Sequence, residues 1–258
     1  MIAYQTESAG STYINIHLYE NFRYIPHLHS GLELVVTLDG ECIAEVDGER
    51  VEMKKNDAIL ILPEQLHAFR TESSSRVWVC VFSRDFVPEF LKELSGKVGK
   101  SCRIFPGKAM EELRIEAENM GMWGLRALFH YVCALYLRSA ELTEREAVSG
   151  ELSYRIIRYI SDHFTEDLTL ESVSAVFGYH PGYISRTLSR TVKMSMPRFI
   201  NSYRVDYARH LLLTTQRKVT EIAGMCGFRS LRNFNLAFRS VTGMEPRQLR
   251  SSEKGKES

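Results

Sequence analysis

A chain of 258 residues, 44% hydrophobic and 25% charged, is long enough for two domains and has the composition of a soluble globular protein. Its longest apolar runs, such as AILIL at Ala58–Leu62, are too short to cross a bilayer, so no membrane partner is expected. The net charge of +1 hides a division: residues 1–151 carry 16 Lys and Arg against 23 Asp and Glu, whereas residues 152–251 carry 15 against 7. A basic C-terminal part behind an acidic N-terminal one points to a polyanion partner for the former alone. The opening MIAYQTESAG has neither a basic nor an apolar targeting region, and five scattered cysteines (Cys42, Cys80, Cys102, Cys133, Cys226) lack any CxxC pairing. These features predict reduced thiols, no structural zinc and a cytoplasmic location.

From Ile14 to Phe82, short apolar runs alternate with turn signals. LELVVTLDG, ECIAEVDGE, RVEMKKNDAILILP and RVWVCVF are rich in β-branched and aromatic residues with period-two stretches, which predicts strands. Asp39-Gly40 and Asp47-Gly48 are dipeptides that close tight hairpins, the glycine supplying a positive φ. Strands at this spacing predict an antiparallel sandwich or small barrel. After Pro106 the texture changes: Leu125, Leu128, Phe129, Val132, Leu135 and Tyr136 fall at three-and-four spacing. This predicts two amphipathic helices with a break at Gly121 and Gly124. The helices cover one face of the barrel or, the reading preferred for so apolar a stripe, form a dimerisation surface.

Within the strand region, PHLHSGLE (Pro26–Glu33) contains His-x-His-x-x-x-Glu, and PEQLH (Pro63–His67) supplies a further histidine. On these residues the N-terminal part resembles the cupin family. Its first motif corresponds to His27, His29, Glu33 and Gly40, and its second ends in a ligand histidine, here His67. The chain departs from the family pattern at three points. Asn56 stands where a Gly is expected before Asp57, Glu64 replaces the turn Gly after Pro63, and the Asn after the last His is absent. Three imidazoles and a carboxylate can hold Zn, Fe, Mn or Ni with positions left open. The same groups can also hydrogen-bond a small polar effector without metal, or line a barrel mouth that binds nothing. The preferred reading is a metal-free effector pocket with no cofactor, His27, His29, Glu33 and His67 being the candidate metal ligands otherwise.

The C-terminal half contains a repeat. TLESVSAVFGYHPGYISRTLSRTVKMSMPRFI, from Thr169, overlays VTEIAGMCGFRSLRNFNLAFRSVTGMEPRQL, from Val219. Gly178 matches Gly227, Tyr179 matches Phe228, Ile184 matches Phe234 and Leu188 matches Phe238. Each copy predicts a short helix, a turn opened by a left-handed Gly, and a second helix. Thr169 and Ser230 are placed to cap helices, and Pro181 suits a first helical position. Val173, Val176, Ile184 and Leu188 form one apolar stripe, and Ile222, Met225, Phe234 and Phe238 the other. Between the copies, Phe199, Ile200, Tyr203, Ala208, Leu211 and Leu212 predict one continuous helix. Such a helix would fix two readers for successive major grooves.

RVDYARHLLLTT (Arg204–Thr215), followed by VTEIA, GF, NF and TGMEP, resembles the AraC/XylS family of transcription regulators. The resemblance implies two helix-turn-helix units on a linker helix, behind a cupin-like domain that senses an effector and dimerises. Residue by residue it implies DNA contacts at Gly182, Ser185 and Arg186 in copy one; in copy two the exposed helix face offers Arg232, Asn235 and Leu236. Arg186 can span guanine O6 and N7. Leu236 stands where the family often has Arg; either Arg232 and Asn235 replace that Arg, or Leu236 contacts a thymine methyl. Arg190, Arg239 and Lys193 are read as phosphate contacts.

The expected architecture is α+β with two domains. An antiparallel cupin-like β-barrel occupies 1–105, a helical dimerisation or linker region 106–150, an all-α double helix-turn-helix domain 151–251, and a disordered tail 252–258. The expected function is sequence-specific DNA-binding transcription regulation, governed by a small polar effector such as a sugar or related metabolite, without enzyme activity. The alternative is a metal-dependent cupin isomerase or dioxygenase fused to a DNA-binding domain. Expected partners are double-stranded DNA, the effector, RNA polymerase and a second copy of the chain.

Overall fold

One long strand, β3 (Leu32–Val46), organises the N-terminal part of the computed structural model, which describes residues 13–105, 110–144 and 152–254. The described residues fall into two compact units, one within 6–149 and one within 150–258. Along its first part β3 pairs antiparallel with β5 (Ala58–Ile61) and β7 (Ser75–Phe82); further along it pairs with β4 (Glu49–Lys54) and β6 (His67–Arg70). Outer strands β1 (Ile14–Glu20) and β9 (Arg103–Ile104) flank β7 and β5, and β2 (Tyr24–His27) pairs with β6. The expected antiparallel barrel is thus realised as two sheets sharing β3, with no closed ring of paired strands among the described residues.

Alternation along β3 explains its sequence. Leu32, Leu34, Val36 and Leu38 pack into the core beneath the helices, and the residues between them point to the opposite face. Glu33 is on that second face and is fully buried, as is Thr37. Asp47-Gly48 turns the chain into β4, with φ of 49° and 89°, as expected of a two-residue hairpin loop. Asp39-Gly40 does not. It lies inside β3 at a register shift, where Gly40 has φ 68° and a Cβ there would meet the Ser74 carbonyl oxygen at 2.1 Å. The glycine serves a bulge and a close backbone approach rather than a hairpin.

A 3-10 turn (Arg84–Phe86), α1 (Pro88–Leu94) and β8 (Lys97–Gly99), paired with β10 (Leu142–Glu144), lead around the sheet edge. Helices α2 (Met110–Asn119) and α3 (Gly121–Ser139) cover the outer face, with Phe129 stacked on Phe82 at 3.9 Å between ring centroids. The break falls at Gly121, whose φ is 63°. Gly124 instead lies within α3, where a Cβ would come 2.2 Å from the Ala117 carbonyl, so it allows α2 to approach. The apolar stripe of α3 is consumed by this packing: Leu128 is 4% exposed and Val132 0%. Leu128 and Val132 are therefore covered by the chain's own sheet.

In the C-terminal unit, α4 (Leu152–His163) precedes the repeat. Copy one is α5 (Leu170–Phe177) and α6 (Pro181–Val192), and copy two is α8 (Val219–Met225) and α9 (Leu231–Thr242). The unbroken α7 (Met196–Thr214) joins them. Thr169 and Ser230 cap as expected, accepting from Ser172 N at 3.1 Å and Asn233 N at 3.2 Å. The second half of α7 buries Val205, Ala208, Leu211 and Leu212 against Ile222, Phe234 and Phe238. Val176 and Met225, expected in the core, are exposed. The residue one turn after Val173 or Ile222 is i+4, so Cys226 is buried and Phe177 half-buried in their place. A last helix, α10 (Pro246–Lys254), runs into the segment expected to be a tail, and residues 255–258 lie outside those described.

Candidate functional site

Helix α6 starts at His180, whose Nδ1 accepts from Gly182 N at 3.1 Å, with Pro181 in the first turn. Ile184, Leu188 and Val192 fix its inner face. Arg186 and Arg190 are exposed on the other side, and among the described residues no hydrogen bond or ion pair holds either guanidinium. Ser185 and Gly182 are half-buried on the same helix. A Cβ at Gly182 would find only ordinary contacts with His180 and Arg186, so the protein's own packing does not demand glycine there. In α9, Phe234 and Phe238 are buried, Arg232 is exposed, Asn235 is half-buried and Leu236 is 57% exposed. Arg239 is less available, since Glu245 forms an ion pair with it. Lys193 ends α6 in a left-handed conformation and is exposed.

The turn of copy two is braced by groups that periodicity could not identify. Arg204 of α7 donates to the carbonyls of Phe164 and Glu166, at 2.7 Å each, and its guanidinium lies 5.6 Å from the Phe228 ring centroid. Burial lowers its pKa from the ordinary arginine value. Gly227, with φ 79°, sits so close to this loop that a Cβ would meet the Thr165 carbonyl oxygen at 2.4 Å. Arg229 pairs with Asp167. The loop between α4 and α5 thus supports the turn of copy two. The only advance signal was the conspicuous Arg204 at the head of RVDYARHLLLTT.

In the N-terminal unit all four pocket residues come together. His27 ends β2, opposite His67 at the start of β6; His29 follows in the loop, and Glu33 projects from β3. One ligand atom from each lies within 4.8 Å of every other. The Glu33 carboxylate oxygen Oε2 is 2.8 Å from His29 Nε2 and 3.2 Å from His67 Nε2. The Nδ1 atoms of His27, His29 and His67 face the carbonyls of Ile25, Gly31 and Gln65 at 2.9, 3.1 and 2.8 Å. Burial, together with His67, pushes the His27 pKa well down. Burial alone would raise that of Glu33, but His67 and the bonds from His29 and His67 outweigh it and hold the carboxyl well below its ordinary range. The departures from the cupin pattern preserve its geometry, because Asn56 and Glu64 take the left-handed conformation, with φ of 71° and 65°. Glu64 N donates to the His29 carbonyl at 2.9 Å, tying the second motif to the first.

Comparison with known proteins assigns both units. A family described as "AraC-like ligand binding domain" matches residues 13–119, and "Helix-turn-helix domain" matches residues 173–252. The chain belongs to the AraC family of transcription regulators. It is 25% identical over 231 residues to the "Uncharacterized HTH-type transcriptional regulator YobQ" of Bacillus subtilis, covering 89% of this chain and 90% of that protein. The "HTH-type transcriptional activator RhaS" of Enterobacter sp. is 29% identical over 141 residues, 55% of this chain and only 50% of that protein. A solved structure of ToxT from Vibrio cholerae shares the fold, with TM-score 0.62 over 92% of this chain and 96% of that one, at 13% identity. This AraC-family chain is therefore a DNA-binding transcription regulator with a ligand-binding domain, and its relatives are regulators rather than enzymes. Among its described residues no helix is long and apolar enough to cross a membrane.

Proposed function

We propose that this AraC-family regulator is cytoplasmic and reads operator DNA through α6 and α9 while a small polar effector occupies the His27, His29, Glu33 and His67 pocket. The effector is a sugar or a related metabolite. Arg186 reads a guanine edge, and Gly182 and Ser185 allow close approach beside it. In copy two, Arg232 and Asn235 reach base edges and Leu236 a thymine methyl, while Arg190, Arg239 and Lys193 meet phosphates. The reading is carried chiefly by the exposed, unpartnered Arg186 on a helix whose other face is locked in the core. A second copy of the chain and RNA polymerase are the proposed protein partners, and neither contact can use the buried Leu128 and Val132 stripe.

The test uses the full chain. DNA selected by the protein from a random pool should contain two half-sites about one helical turn apart, and binding should weaken steeply as salt rises. A candidate effector should change operator affinity in wild type and leave His29→Ala unresponsive but still able to bind. Selection of unrelated sequences would overturn the DNA reading. An unchanged effector response in His29→Ala would overturn the pocket reading.

A further inference from the structure

The turns of the two helix-turn-helix copies share a backbone conformation and differ in where their aromatic residue goes. In each, the amide after the left-handed glycine donates back into the first helix: Tyr179 N to the Ser174 carbonyl at 3.3 Å, and Phe228 N to the Ala223 carbonyl at 3.0 Å. Such a turn often closes with an apolar contact between those two residues. In copy two Ala223 and Phe228 share one core cluster. In copy one the matching position is Ser174, whose hydroxyl donates to the Leu170 carbonyl at 2.6 Å, and Tyr179 turns outward. There it stacks on Tyr183, with ring centroids 5.3 Å apart and each residue 47% exposed. His180 lies between them in the chain and is exposed. Because its Nδ1 accepts from Gly182 N, the ring proton is on Nε2, a donor on the opposite side of the ring. Tyr183, Arg186 and Arg190 follow at three- and four-residue spacing and so share one side of α6. A Cβ at Gly182 would lie 3.4 Å from His180 Nδ1 and 3.8 Å from Arg186 Nη1, so the histidine and the arginine flank the same glycine. The tyrosines and His180 therefore continue the face that carries Arg186.

We infer that Tyr179, His180 and Tyr183 form an uncharged lip that holds the sugar–phosphate backbone of operator DNA beside the base pair met by Arg186. The tyrosine ring faces pack against deoxyribose carbons, while the hydroxyls and His180 Nε2–H donate to phosphate oxygens. Stacking holds the Tyr183 ring in place before DNA arrives, so little side-chain freedom is lost on binding. Copy two lacks the lip. Phe228 is buried, Asn233 stands at the position of Tyr183, and Arg229, at the position of His180, pairs with Asp167. The lip also differs in kind from an arginine contact. An uncharged donor neutralises no phosphate and releases no counterion, so its share of the affinity does not decay with salt. Copy one thereby carries a part of the hold on DNA that added salt leaves intact. This deepens the DNA-binding reading and rests on α6 presenting its Arg186 side to the duplex.

The experiment uses the full chain at about pH 8, above the ordinary histidine range, and a duplex that the protein recovers from a random pool. Affinity is measured over a series of KCl concentrations, and contacted phosphates are mapped by ethylation interference. Tyr183→Phe removes one hydroxyl and keeps the stack, whereas His180→Asn keeps a capping oxygen and removes the ring donor. Each variant should bind roughly 3–20-fold more weakly, by the same factor at every salt concentration, with its melting temperature unchanged. Each should also lose interference at a phosphate that wild type contacts. Loss of a charged contact would instead flatten the slope of log affinity against log salt by about 0.9. Wild-type affinity in both variants, an unaltered interference pattern, or weakening accompanied by a flatter slope or a lower melting temperature would overturn the inference. The first of these outcomes would leave the tyrosine pair to a protein partner. Uniform weakening by Arg186→Ala would sink base readout by Arg186 alone, because the phosphates held by Tyr183 and His180 are mapped without reference to it.

Discussion

In the first helix-turn-helix copy the residue after the turn glycine, Tyr179, is 47% exposed and stacks on Tyr183; in the second its counterpart, Phe228, is 8% exposed beneath the Arg204 guanidinium. The flanking glycines differ in the same way. Gly178 needs only its left-handed backbone, for a Cβ there would meet nothing within 4 Å, whereas Gly227 needs both that backbone and room beside Thr165. Copy one is a helix-turn-helix with a free turn. Copy two is a helix-turn-helix whose turn is also a structural joint. Equivalence in a repeat alignment therefore does not mean equivalence in energy, because the neighbours of each copy come from elsewhere in the chain.

The largest expected effect separates the two glycines. Gly227→Ala combines left-handed strain with overpacking against a backbone carbonyl and should cost about 2–4 kcal/mol. Gly178→Ala carries strain alone, about 1–2 kcal/mol. Urea denaturation of the two variants checks this, and equal losses would remove the claimed asymmetry. Close behind comes Arg204→Met, expected to cost about 2–3 kcal/mol by leaving two carbonyls without their charged donor. Arg204→Lys should recover little of it, because one ammonium cannot reproduce the fork that spans Phe164 and Glu166. Full recovery by Lys would reduce the joint to a charge effect.

Next in size is the reader of copy one. Arg186→Ala should weaken operator binding by about 1–3 kcal/mol and relax preference at one base pair, without lowering the melting temperature, since no protein group relies on its guanidinium. Binding assays on a set of single-substitution operators measure this. Uniform weakening across the set would make Arg186 a phosphate contact instead.

Local chemistry made the repeat legible: caps at Thr169 and Ser230 and left-handed Gly178 and Gly227. The four pocket residues were legible through the cupin resemblance, and β6 brings His67 opposite His27. What escaped depends on distant contacts. Asp39-Gly40 has hairpin chemistry, but its conformation is set by Ser74 across the sheet. The α3 stripe has the pattern of an interface, and only the packed sheet reveals that its cover is internal. The loop bracing copy two lies some sixty positions from the Arg229 it holds, beyond any periodic signal.

The smallest effect tests the second reader. Leu236 is 57% exposed on α9 with no protein cover, so Leu236→Ala should leave stability nearly unchanged. Removing its contact with a thymine methyl should cost about 0.5–1 kcal/mol at a single operator position, below what a bidentate arginine supplies in copy one. Leu236→Arg should do the opposite, adding a fork beside Arg232 and Asn235 and shifting preference at that position from thymine toward guanine. The comparison is read from operator variants altered only at that base pair. A Leu236→Ala variant indistinguishable from wild type on every one of them would mean that Leu236 contacts no base and that any discrimination by α9 rests on Arg232 and Asn235.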